Sequence, residues 1–286
     1  MEYKRNHFIP RFMIEYWSNP QMPHKGVHVY DIQKLRAYVS AGNGKKPYSF
    51  ATADDLYVHC ADGPRAVGLE RWFSGLEGAL AALIRQIHDR KDPIVCPTSE
   101  RTKVLMAILG LECRSPYNLR MIEKKLSSDE HLRKILDPDS AAPAEQQVLE
   151  NIVHQVSDNV SEYTPTEMVF MVAPASRSWL LCDRPYFHDP AFEYRFVVLT
   201  SKILLGFKKS EDVHNCEYIE ASPEFFDALN HRMALQARAW LVADSPSSLA
   251  KFEAVVKSAE WEESVAADHI TYEPICNLRS GWRISS

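Results

Sequence analysis

The sequence predicts an α+β fold, with an N-terminal β-hairpin and helical bundle packed with a mainly antiparallel sheet from the second half of the chain. Three observations lead there. Two short β-prone runs, 26–30 and 35–40, flank Asp31-Ile32-Gln33-Lys34, which is a hairpin signal. From Gly68 onward, apolar residues recur at spacings of three and four, the stripe of an amphipathic helix. Beyond residue 166, short apolar runs bounded by Pro, Asp or Ser precede a second helical stretch. Strands and helices come in blocks, which argues for α+β over an alternating doubly wound sheet.

The elements follow in order. Residues 6–17 are rich in aromatic and aliphatic side chains and suit an element held on the core, and 42–47 form a basic, turn-rich loop. Leu69, Trp72, Phe73, Leu76, Leu80, Leu83, Ile84 and Ile87 mark a helix over 68–90, ended by Asp92-Pro93. A second helix starts with Thr98 or Ser99 as N-cap and buries Val104, Leu105, Ile108 and Leu111. Residues 115–136 and 144–156 read as further helices, with 140–142 as a link between Pro138 and Pro143. Strands are expected at 167–172, 179–182, 196–200 and 202–207. A helix capped by Ser222, with Pro223 and Glu224 in its first turn, runs through Phe225, Phe226, Leu229, Met233 and Leu235 to about residue 243. A last helix covers 249–258, and the tail from Trp261 reads as loosely organised, with Trp282 packed on something. The whole of 1–286 is expected to be one domain, subdivided if at all into 1–140 and 141–286.

A chain of 286 residues with 45% hydrophobic content can bury a substantial core. The N-terminus carries no apolar run behind its positive charges, and no apolar stretch approaches the ~20 residues of a membrane helix. The expectation is a cytosolic or nuclear protein with no membrane partner. Cys60, Cys96, Cys113, Cys182, Cys216 and Cys276 stand singly, without the paired spacing of a disulfide framework or structural zinc site. A net charge of −5 excludes a protein that coats nucleic acid nonspecifically, and leaves a local basic groove open.

Several side chains could carry chemistry, and each has a structural alternative. His7 sits among Phe8, Ile9 and Phe12; it could act as acid, base or metal ligand, or be a hydrogen-bonded core residue. Glu70 and Glu77 share one helix face about 10.5 Å apart along the axis. They could line one groove, or Glu77 could form a buried ion pair with Arg114. Asp183, in Cys182-Asp183-Arg184-Pro185, could bind a metal, orient His7 or activate water, or close a turn on its own backbone. Asn230, His231, Arg232 and Arg238 form a polar set on one helix, where Arg232 could grip a phosphate; a solvated helix face is the alternative. Lys45-Lys46 and Lys208-Lys209 read as surface charge. P-loop, Rossmann, zincin and nucleophile-elbow signatures are absent.

Taken in order, these residues resemble the DUF4238 family, a domain of unknown function. Asn6-His7-Phe8-Ile9-Pro10-Arg11-Phe12-Met13 is similar to its His-x-x-Pro-x-x-Leu opening. Tyr57 follows the acidic pair Asp54-Asp55, Glu70 and Glu77 lie on the first long helix, and Arg114-Ser115-Pro116 closes the second. Cys182-Asp183-Arg184-Pro185 is similar to the family's Ser-Asp-Asn-Pro turn, with Cys and Arg where the family tends to have Ser and Asn. Asn230 falls in a helix like the family's late Asn-containing one. The resemblance spans roughly 6–243 and implies a fold without bringing an activity.

Two functional expectations follow from the residue types. In the first, the chain hydrolyses a phosphodiester or related phosphate bond, as a nuclease of bacterial defence would. His7 serves as general acid or base, Glu70 or Glu77 with Asp183 holds a divalent metal or water, and Arg114 neutralises charge. Tyr57, Arg184, Asn230 and Arg232 would contact a nucleic acid or nucleotide. In the second, the chain is a non-catalytic binding or regulatory protein whose polar motifs are internal pairs. Either reading leaves a homo-oligomer open.

Overall fold

The computed structural model of the chain describes residues 5–18, 26–42, 48–54, 68–88, 98–113, 115–116, 124, 128, 156–158, 160–161, 163, 166–189, 194–210 and 216–266. Strands β2 (Gly26–Asp31) and β3 (Arg36–Ala41) form the expected antiparallel hairpin. Its turn is held by Asp31, whose carboxylate accepts the Lys34 backbone N–H at 2.9 Å and the Lys34 ammonium at 2.8 Å. Burial pushes the Asp31 carboxyl up, but these Lys34 contacts and the nearby Arg36 outweigh it and hold the group below its ordinary range. Leu35 closes the turn at φ 48°, in the left-handed region that disfavours a leucine.

The described residues divide into two compact units, each discontinuous in sequence. One comprises residues 1–9, 52–83 and 97–164; the other comprises 10–51, 84–96 and 165–286. A division at residue 140 falls outside the described residues. In the first unit, β1 (Arg5–His7) pairs antiparallel with β4 (Thr52–Asp54). Helix α2 (Gly68–His88), which belongs to the first unit up to Leu83, and helix α3 (Thr98–Cys113) lie where the apolar stripes predict them. Phe73 and Leu80 on α2 are buried, as are Val104, Leu105, Ile108 and Leu111 on α3, whereas Leu76 is half-exposed. A Cβ on Gly110 would come within 3.0 Å of the Phe73 ring, so this glycine is what lets the two helices approach so closely. The helices expected at 115–136 and 144–156 lie mostly outside the described residues, as does Trp282.

In the second unit the hairpin does not stand alone. It belongs to a four-stranded sheet with β11 (Trp240–Ala243) and β6 (Leu181–Cys182), both supplied from far downstream, in the order β3-β2-β11-β6: Tyr30 faces Leu241, and Leu241 faces Cys182. A second sheet has the order β10-β5-β9-β8-β7, built from β5 (Thr166–Val172), β7 (Tyr186–Asp189), β8 (Tyr194–Val198), β9 (Ile203–Lys209) and β10 (Glu217–Glu220). All its ladders are antiparallel except β10 on β5. The 3-10 turn Glu15–Trp17, after the short helix α1 (Arg11–Ile14), buries Trp17, whose indole N–H donates to the Trp179 carbonyl at 2.7 Å. Helix α4 (Pro223–Gln236) starts as predicted, with the Ser222 hydroxyl accepting from the Phe225 N–H. It ends seven residues earlier than the sequence suggests, because 240–243 are a buried strand rather than a last helical turn. Helix α5 (Pro246–Val255) is followed by α6 (Ala259–Ala266), so the chain from Trp261 is ordered further than expected.

Leu80 tests the packing of the first unit, because it is fully buried while the neighbouring Leu76 is not. Leu80→Ala is expected to lower stability by about 2–5 kcal/mol through the cavity it leaves. Leu76→Ala is expected to cost clearly less. Equal losses in chemical denaturation would contradict this orientation of α2.

Candidate functional site

The segment Cys182-Asp183-Arg184-Pro185 is where polar chemistry concentrates in the second unit. Asp183 is 6% exposed. Its Oδ1 accepts three consecutive backbone N–H groups, from Arg238 at 3.0 Å, Ala239 at 3.1 Å and Trp240 at 3.4 Å. Those residues are the link between α4 and β11, so the carboxylate ends the helix and turns the chain into the strand. Burial pushes the Asp183 carboxyl above its ordinary range, while the N–H groups of Ala239, Arg238 and Trp240 oppose the shift. Asp183 therefore behaves as a backbone staple.

Its neighbours work the same way. Cys182 is sealed, and burial first, then the Asp183 charge, pushes its thiol up to about 12. It stays protonated and donates to the Arg184 carbonyl at 3.1 Å, the bond a serine hydroxyl could make in its place. The buried Gln236 amide donates to the Arg184 carbonyl and, at 3.0 Å, to the Tyr186 carbonyl. Asn230, 1% exposed, accepts the Leu180 backbone N–H at 2.8 Å. Of the polar set expected on one helix, Asn230, His231 and Arg232 lie on α4, but Arg238 falls beyond its end, where it donates to the Leu235 and Ser264 carbonyls; His231 meets Glu260 at 3.0 Å in an exposed pair. Arg184 and Arg232 are half-buried. Lys208, read as surface charge, lies 3.3 Å from Glu167.

In the first unit, His7 lies on β1 opposite Thr52 with a half-buried side chain, and Glu77 is half-buried on α2. Glu70 is on α2, but its side chain, with Tyr57 and Arg114, lies outside the described residues. The proposed pairing of Arg114 with Glu70 or Glu77 lies there too. His7 and Asp183 belong to different units. Among the described residues no group of three or more His, Cys, Asp or Glu is placed to hold a metal ion, and no helix is long and apolar enough to cross a membrane.

Sequence reasoning passed over a different place. A groove of about 270 Å³ runs between β3 and α5, lined by His28, Ala37, Tyr38, Val39, Pro246, Leu249, Ala250 and Glu253. His28 is 7% exposed, and burial lowers its pKa against the opposing pull of Asp244, so its imidazole is neutral near pH 7. Glu253, also in the lining, meets Lys257 at 2.5 Å. The groove offers apolar walls, one neutral imidazole and one carboxylate, which is chemistry suited to holding a ligand. The signal was present in the sequence: Gly26-Val27-His28-Val29-Tyr30 alternates, placing His28 and Tyr30 on one strand face.

Asp183 yields a sharp test. Asp183→Ala leaves three backbone N–H groups without their acceptor and is expected to cost about 3 kcal/mol or more, whereas Asp183→Asn keeps an oxygen acceptor and loses much less. With its pKa raised in the folded state, Asp183 binds its proton more tightly native than unfolded. Its contribution to stability is therefore greatest in acid and falls as pH rises from the unfolded value near 3.8 through the folded one. Denaturation of Asp183→Asn should show that part of the pH dependence removed; a profile unchanged from the parent would refute the assignment.

Comparison with known proteins bears on the motifs just described. No curated protein and no solved structure matches the chain. The family described as "Protein of unknown function (DUF4238)" matches residues 5–247, a span that includes the opening His7 segment, the Asp183 turn, the Asn230 helix and β11. The chain belongs to the DUF4238 family.

Proposed function

We propose that the chain is a non-catalytic binding or regulatory protein, in which the polar motifs of the second unit hold the fold and the groove between β3 and α5 takes the ligand. The observation that carries this reading is the Asp183 carboxylate, buried and committed through Oδ1 to the backbone of 238–240. A carboxylate that binds metal or activates water needs an oxygen directed at the reacting groups. The Asn230 side-chain oxygen and the Cys182 thiol, from the other motif residues here, likewise bond to backbone. A cytoplasmic location accords with Cys113, Cys182 and Cys216, which are buried free thiols.

The rival reading, phosphodiester hydrolysis with His7 as acid or base, makes a measurable claim. The purified chain, incubated with Mg²⁺ or Mn²⁺ and single-stranded DNA, RNA or bis-p-nitrophenyl phosphate, is expected to show no turnover beyond that of His7→Ala. Turnover that disappears in His7→Ala at an unchanged melting temperature would replace the binding reading with the hydrolase.

A further inference from the structure

We propose that helix α5 is an acid-released flap, closed against the β3-β2-β11 sheet while His28 is neutral and lifted from it when His28 takes a proton. The switch requires no ligand in the groove, so it stands or falls apart from the binding reading above.

The position of His28 supplies the mechanism. On β2 it lies opposite Val39 of β3 on one side and Ala243 of β11 on the other. It shares the groove lining with Pro246, Leu249 and Ala250 of α5, and only 7% of it is exposed. An imidazolium brings two N–H donors and a charge that need partners or water. Among the described residues none hydrogen-bonds the ring, and burial holds its pKa below the ordinary value. Solvating the protonated ring therefore requires the groove to open.

The groups facing His28 and the seat of α5 decide the sign. Asp244, which follows Ala243 in the chain, favours the imidazolium by its charge without offsetting burial. Its Oδ1 is buried and has no hydrogen-bond partner among the described residues. From α5, Glu253 is committed to Lys257 at 2.5 Å, and from β3 comes the Tyr38 phenol. Leu249 is the one buried residue of α5, so lifting the helix exposes little apolar surface and lies at the low-cost end of local openings. Protons favour the state that binds them better. With α5 lifted, His28 regains its ordinary value of 6.5; with α5 closed, it titrates lower. What neutral His28 contributes to closure is thus complete above pH 6.5 and lost as pH falls through the closed-state value.

The test is hydrogen exchange of the full chain between about pH 7.5 and pH 5, corrected for the intrinsic pH dependence of exchange, with α4 as the internal reference. Exchange in α5 is expected to rise relative to α4 on acidification, by up to about tenfold per pH unit. His28→Gln should remove that rise. Asp244→Asn, which takes away the charge that helps protonation, should deepen it. The imidazole NMR titration of His28 in the parent chain, expected to have its midpoint below 6.5, decides the matter even if His28→Gln fails to fold. A midpoint at or above 6.5, α5 exchange that tracks α4 throughout, or the same acid loosening in His28→Gln would each overturn the proposal. So would α5 becoming better protected in acid, which would mean that the imidazolium bonds Asp244 and tightens the seat.

Discussion

A carboxylate buried at 6% exposure is costly unless its oxygens are hydrogen-bonded, and the second unit is arranged so that Asp183 has those bonds. The three N–H groups it accepts come from a stretch that could otherwise continue α4. By capturing them, Asp183 fixes where the helix stops and where β11 begins. Strand β11 then pairs with β2 on one side and β6 on the other, and β6 directly precedes Asp183. One side chain thus closes a loop of dependencies among hairpin, helix and sheet. Gln236 and Asn230 brace the same region from α4.

That arrangement separates two kinds of polar residue. Asp183, Cys182 and Asn230, from the family-like motifs in the second unit, are buried and bonded to backbone, so they hold the chain path. Those around the groove are placed differently: His28 is buried and held neutral, and Glu253 is tied to Lys257. The residues that hold the chain path and those that line the groove are therefore different, even though both lie in one unit and share the β2–β11 ladder.

Much of the fold was legible because local physics dominated it. The hairpin over β2 and β3, the stripe of α2, the start of α4 at Ser222 and the strands β5, β8 and β9 all follow from periodicity, capping and turn chemistry. The candidate site was less legible. Asp183 and Asn230 were identified as special, but a sequence cannot distinguish a carboxylate that meets a substrate from one that meets three N–H groups 55–57 positions away. His28 was overlooked because an alternating strand residue draws no notice until its neighbours across the sheet are known.

The sequence alone determined the α+β class, the membership of blocks of helix and strand, and the family. Tertiary structure decided the end of α4. Residues 237–243, Ala-Arg-Ala-Trp-Leu-Val-Ala, contain neither Gly nor Pro, and their propensity allows another helical turn. Pairing with β2 and β6 made them a strand, because the burial and ladder bonds available there outweigh the tenths of a kcal/mol per residue that separate helix propensities. Which strands share a sheet and where a groove forms depend on contacts between residues far apart in the chain, and no local pattern encodes those.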